Sequence, residues 1–172
     1  MIIMGIDPGT ATTGWGVVSK TKSNSTFISV GTITTASNLS PEVRLEIIFK
    51  DLTTLIKKYR PDVVALEQLF FNTNAKTALL VGQARGVVML ATQLRKIPLY
   101  SYTPLQVKIA ITGYGRADKK QMQEMVQRLL KLAAIPKPDD AADALAVALT
   151  HAFTNKSLFG KSLLRQTYPR SI

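Results

Sequence analysis

A chain of 172 residues and 18.8 kDa amounts to one domain, and at this length folding buries on the order of 70% of the surface that the unfolded chain exposes. Hydrophobic residues make up 46% and charged residues 19%, which excludes global disorder, and no apolar run approaches the ~18 residues of a membrane span. There is no cysteine for a disulfide or thiolate metal site, and the one histidine, His151, argues against a zinc site or His-based triad. Chemistry must therefore come from carboxylates, hydroxyls or lysines. The N-terminus lacks a basic leader region, so the expected location is cytoplasmic. Twenty-two Lys and Arg against eleven Asp and Glu give a net charge of +11, the imbalance expected of a protein that meets a polyanion, most often nucleic acid.

Met1 to Asp7 is an apolar run that stops at the turn Asp7-Pro8-Gly9-Thr10 and reads as a strand. Gly14–Ser19 and Thr26–Thr34 alternate as two further strands, with turns at Lys22-Ser23-Asn24 and near Gly31, which makes a three-stranded meander. Ser40 before Pro41 and Glu42 signals a helix start, and Val43, Ile47, Leu52, Leu55 and Ile56 form the apolar stripe of a helix over 41–59. Pro61 to Glu67 reads as a buried strand, followed by a loop at Phe70-Phe71-Asn72, a long helix over Ala75–Lys96 and a strand over Ile97–Tyr102. Thr103 to Ala110 reads as a short helix and Gly113-Tyr114-Gly115 as a loop. A helix capped by Asp118 runs to Leu132, and a last one runs from Asp139 to about Phe153. In short form the order is β-β-β-α-β-α-β-α-α, which implies a mixed sheet with helices on both faces.

Four of the eleven acids sit in the most apolar segments: Asp7 and Glu67 at strand ends, Asp140 and Asp143 at the head of an alanine-rich helix. An unpaired carboxylate there costs several kcal/mol, so something must compensate it. The i, i+3 spacing of Asp140 and Asp143 puts both on one helical face, and strand ends at one sheet edge converge. No lysine lies in these immediate segments. Hard divalent cations such as Mg²⁺ suit such an oxygen donor set. Taken singly, Asp7 is also a turn residue and Asp140 and Asp143 also complement a helix dipole, whereas a strand as apolar as the one before Glu67 seldom ends in glutamate. Asp139 projects about 100° away round the helix and reads as a cap. Four carboxylates holding two Mg²⁺ in a basic protein form a constellation for phosphodiester hydrolysis: one ion activates a water for in-line attack, the other stabilises the leaving 3′ oxygen.

The motifs Met4 to Thr10, Leu66-Glu67-Gln68 with Phe70, Gly82-Gln83-Ala84-Arg85-Gly86, Gln106-Val107-Lys108 and Asp140 to Ala146 occur in order at family spacing, and over residues 1 to about 154 the chain resembles the RuvC-type Holliday-junction resolvases. The resemblance implies an RNase-H-like α/β domain over 1–154, a mixed sheet of about five strands flanked by helices on both faces, followed by a basic tail over 155–172. It implies a homodimer that resolves four-way DNA junctions by paired symmetric nicks in recombination and repair, with two Mg²⁺ per active site, Mn²⁺ as a substitute, and a branch-migration helicase as partner. Asp7, Glu67, Asp140 and Asp143 become the catalytic metal ligands. Lys108 becomes a basic residue near the site, and the lysine opening the next helix falls on Lys119 or its neighbour Lys120. Phe70 matches an aromatic that stacks on opened bases, with Phe71 beside it as an alternative. Arg85, Lys108, Lys119 and Lys120 complete the DNA-binding set.

One chain carries one carboxylate cluster and a junction needs two cuts, so a two-fold dimer is expected. The small residues Ala78, Gly82 and Gly86 let the 75–96 helix approach either this chain's own sheet or a partner helix. The tail, with Lys156, Lys161, Arg165 and Arg170, either lengthens the DNA footprint or is a terminus without function. An RNase-H-like nuclease of other branched DNA or RNA–DNA hybrids is the nearest rival, and a non-catalytic junction-binding protein the next. An actin-like ATPase needs two such domains.

Overall fold

The computed structural model describes residues 1–68 and 75–154. Phe70, Phe71 and the basic tail lie outside the described residues. Along the chain run β1 (Ile2–Asp7), β2 (Thr12–Lys20), β3 (Ser25–Thr34), α1 (Pro41–Tyr59), β4 (Val63–Glu67), α2 (Ala75–Leu94), β5 (Leu99–Tyr102), α3 (Pro104–Thr112), α4 (Lys119–Leu130) and α5 (Asp139–Phe153). Three helices follow β5, one more than the short-form order allowed, because 104–112 is a complete helix. A Thr103–Gln106 capping box starts it and Gly113, at φ 74°, ends it.

The strands form one five-stranded sheet in the order β3-β2-β1-β4-β5. β1, β2 and β3 are an antiparallel meander, while β4 and β5 run parallel to β1. The sheet is thus mixed, with helices on both faces, as the element order implies. Strand alternation divides the core in two. Met4, Ile6, Val64 and Leu66 face α1 and α2, whereas Ile3, Val63, Ala65 and Tyr102 face α5.

Two local expectations are corrected. On α1, Leu52 and Ile56 are buried with Ile48, and Ile47 and Leu55 pack partly buried against the same core, whereas Val43 is exposed because at about 100° per residue it lies half a turn from Leu52. Ser40 stands at its N-cap without a side-chain cap bond, Pro41 alone setting the first turn. Gly31 does not end a strand but lies inside β3 opposite Trp15, where any Cβ would stand 2.7 Å from the indole ring. The missing side chain makes room for the tryptophan rather than for a turn.

Candidate active site

Asp7 closes β1 and Glu67 closes β4, and the period of two places each on the α5 face: Asp7 follows Ile3 and Gly5, Glu67 follows Val63 and Ala65. The parallel register pairs Ile6 with Leu66, so one step further sets Asp7 beside Glu67. Beyond Asp7 the chain turns sharply, held by Thr13 donating to the Gly9 carbonyl at 2.6 Å and Thr35 donating to that of Thr10 at 2.6 Å. Gly14 brings in the other two acids. A methyl there would stand 2.0 Å from the Asp140 carbonyl oxygen, so only glycine lets the head of α5 lie against β2. Asp140 and Asp143 then project from one helical face toward the strand ends.

The electrostatics follow from this crowding. Burial, then the charge of Glu67 and a hydrogen bond with it, then the charges of Asp143 and Asp140, push Asp7 up to about 8. Glu67 is also raised, by burial first and by Asp143, while the hydrogen bond from Asp7 and the Lys119 ammonium act against the rise. Asp143 is raised by burial, with Lys119 opposing. Burial and mutual repulsion make Asp7 and Glu67 each hold a proton more tightly than a free carboxyl does.

A divalent ion suits this set of side chains. The donors are all hard oxygens, and their surplus of negative charge is what a dication relieves. Among the described residues no three of these groups already surround one point, since Asp7 and Glu67 turn toward each other. Asp7, Glu67, Asp140 and Asp143 are the residues that would hold the metal.

Lysine does reach the cluster, contrary to the reading of the immediate segments. Lys119, first residue of α4, stands 3.4 Å from Asp143 and 3.2 Å from Asp139. It arrives through tertiary packing: Asp118 caps α4, accepting from the Gln121 amide at 2.8 Å, and so fixes where Lys119 starts. Lys120 points away to Glu124 at 4.0 Å, which separates the two neighbours. Asp139 is not a cap. Pro138 occupies that position, and Asp139, in the first turn, takes Lys119, Lys137 and Gln123 instead.

Lys108 lies half-buried on α3, which leaves the sheet edge just after β5, and it makes no ion pair among the described residues. Arg85 is not brought to the carboxylates. It lies on the α2 face, donating to the Ser101 hydroxyl at 2.8 Å, and its Nε is buried without a partner among the described residues. On the α5 side Tyr102, cross-strand neighbour of Glu67, shares a 2.7 Å hydrogen bond with His151 Nδ1. Nothing in the sequence spacing signals that pair.

The outer side of α2 carries exposed leucines together with the exposed Gln83 and Gln93. Leu79, Leu90 and Leu94 are 66%, 54% and 62% exposed, on a stripe opposite the buried Ala84, Val88 and Ala91. A Cβ at the exposed Gly86 would meet no described atom within 4 Å. The 78–82–86 edge therefore does not press on this chain's own sheet at Gly86.

A mixed sheet of this order with acids at the ends of β1 and β4 and at the head of α5 defines an RNase-H-like fold carrying a carboxylate site. The sequence profile described as crossover junction endodeoxyribonuclease RuvC matches residues 3–151, and the chain belongs to that family. A relative from Rubrobacter xylanophilus named crossover junction endodeoxyribonuclease RuvC is 56% identical over 155 residues, covering 90% of this chain and 87% of its own. Thermus thermophilus RuvC, solved in complex with a Holliday junction substrate, superposes with a TM-score of 0.84 at 37% identity, over 89% of this chain and 93% of that one. The yeast mitochondrial Holliday junction resolvase shares the fold, with a TM-score of 0.65 at 16% identity over 88% of this chain and 77% of that one.

Proposed function

We propose that this chain is a divalent-cation-dependent endonuclease that resolves four-way DNA junctions by paired symmetric nicks, acting as a homodimer in recombination and repair. The observation that carries the reading is the convergence of Asp7, Glu67, Asp140 and Asp143 on one sheet edge of a protein with net charge +11. Family membership and the junction complex of the Thermus relative support the substrate. Asp7, Glu67, Asp140 and Asp143 would hold two Mg²⁺ per site, with Mn²⁺ as a substitute, and the ions would supply activation of a water and neutralisation of charge on the leaving oxygen.

The residues do the rest. The four carboxylates offer oxygen ligands, and the raised carboxyl of Asp7 would give up its proton as positive charge arrives. Lys119 and Lys108 attract and orient the phosphate, and the wider excess of basic residues draws in the DNA backbone. Phe70 and Phe71 are proposed to stack on bases opened at the crossover, and Arg85 and Lys120 to extend the DNA contacts. For the dimer, the Leu79–Leu90–Leu94 stripe supplies a self-complementary apolar patch that keeps two strongly basic domains together. A branch-migration helicase is the proposed protein partner and the cytoplasm the proposed location. Among the described residues no helix is long and apolar enough to cross a membrane.

The test is cleavage of a synthetic four-way junction against linear duplex, flap and RNA–DNA hybrid at matched salt. Wild type is expected to nick the junction preferentially. Glu67→Gln and Asp7→Asn are each expected to lose roughly 10³-fold or more in cleavage rate while binding the junction as tightly or more tightly, since neither removes a basic residue that draws in the DNA. Preferential cutting of flap or hybrid assigns the chain to a different RNase-H-like activity. Undiminished cutting by either variant removes that residue from the site.

A further inference from the structure

The heads of α4 and α5 face each other through two pairs of side chains, each pair four residues apart on its own helix. Lys119 and Gln123 come from α4, Asp139 and Asp143 from α5. The two oxygens of Asp139 are divided among different partners. Oδ1 accepts from the Gln123 amide at 3.0 Å and from Lys137 at 3.4 Å, while Oδ2 takes the Lys119 ammonium at 3.2 Å. Gln123 is only 8% exposed, so its amide is a fixed donor that sets the plane of the Asp139 carboxylate. Lys119 then bridges Oδ2 of Asp139 and, at 3.4 Å, Oδ2 of Asp143.

We infer that Asp139, oriented by Gln123, is a positioning residue that holds the Lys119 ammonium between two carboxylates at the rim of the site. This rests on the reading of Asp143 and Lys119 as site residues. Without Asp139, a half-exposed lysine with one remaining partner either collapses onto Asp143, where it competes with a divalent cation, or swings into solvent. With Asp139, the attraction is shared and the ammonium stays where an incoming phosphate meets it.

The residue types suit this role. Asp139 is the unpaired-looking acid beside the Asp140–Asp143 motif, turned away from the cluster by the helix and toward α4. Gln123 lies one helical turn after Lys119, so the residue that aims the carboxylate and the residue that receives it share one rigid element. Lys137 adds a second cation but reaches no other acid of the site in the described contacts.

Asp139→Asn tests the inference in the full-length protein. The substitution keeps the side chain's size but removes its charge and leaves one acceptor oxygen, in place of two, for the three donors Gln123, Lys137 and Lys119. Single-turnover cleavage of a synthetic junction in Mg²⁺ is measured for wild type, Asp139→Asn, Lys119→Ala and the double variant, together with junction affinity and thermal unfolding. The expected result is a roughly 5- to 20-fold slower cleavage step for Asp139→Asn with affinity within about two-fold of wild type, and no additional loss in the Lys119→Ala background. An equal loss in both backgrounds, or no loss although Lys119→Ala slows cleavage, overturns the positioning role. If Lys119→Ala itself cleaves normally, Lys119 is not a site residue and the inference falls with it. Glu67→Gln still tests the nuclease reading independently.

Discussion

The two faces of the sheet are packed by different means. On the α1 and α2 side, branched side chains fill the space: Ile48, Leu52, Ile56 and Val88 meet Met4, Ile6, Val64 and Leu66. On the other side α5 presents Ala141, Ala144 and Ala148 to a sheet whose β1 and β2 carry Gly5, Gly14 and Gly16, and backbone nearly touches backbone. A side-chain layer can shift by a few tenths of an ångström through rotamer changes. A backbone contact cannot. The face that holds the carboxylates is the one with no slack, which is what a site requiring fixed ligand positions needs.

The strongest way to break the comparison is to add one methyl group. A Cβ at Gly5 would stand 2.1 Å from the Ala144 carbonyl oxygen, so Gly5→Ala must push α5 off the sheet. It is expected to cost more than about 3 kcal/mol in urea denaturation, as much as removing most of a core side chain with Leu52→Ala on the opposite face, roughly 2–4 kcal/mol. Should Gly5→Ala prove milder than an ordinary surface change, α5 is not locked to the sheet.

A smaller effect comes from the acids themselves. Asp7 releases its proton near 3.8 in the unfolded chain and at about 8 in the native one. Between those values the native state binds more protons, so stability is greatest below the lower value and falls as pH rises through the upper one. Without divalent cation, moving from pH 5 to pH 8.5 is expected to lower stability by roughly 1–3 kcal/mol, and Asp7→Asn to flatten that slope. Added Mg²⁺ should stabilise most at the alkaline end, where no proton need be displaced. A Tm that rises with pH in the absence of metal contradicts the raised Asp7 carboxyl.

The α2 face sharpens the contrast from the other direction, because its Leu79, Leu90 and Leu94 are more than half exposed. Leu90→Glu is expected to change monomer stability by less than about 0.5 kcal/mol while abolishing self-association in sedimentation. Gly86→Ala, in a helix interior with open space around it, is expected to stabilise the monomer by about 0.4–1 kcal/mol yet weaken the dimer, if partner helices approach there. An unchanged dimer in both variants moves the interface elsewhere.

Much of this molecule was legible in the residues because the signals were local. Apolar runs ending at Asp7 and Glu67, the Asp118 cap before α4 and the i, i+3 spacing of Asp140 and Asp143 each follow from short-range geometry, and the ten element positions need nothing more. Where the reading slipped, the competing cause lay elsewhere in the chain. Gly31 is a turn residue by type but was taken by the Trp15 ring on the neighbouring strand. Asp139 resembles a cap by position but was taken by α4.

The sequence by itself determined the chemistry available: acids at strand ends and a helix head, an excess of basic residues and no thiol, because composition and period are properties of the chain alone. Only the tertiary structure decided which groups meet. Parallel pairing of β1 with β4 set Asp7 beside Glu67, the bare backbone at Gly14 admitted the head of α5, and the packing of α4 chose Lys119 over Lys120. The reason is physical: partners far apart in sequence are joined by register and close approach, and neither is encoded at the residue whose role depends on it.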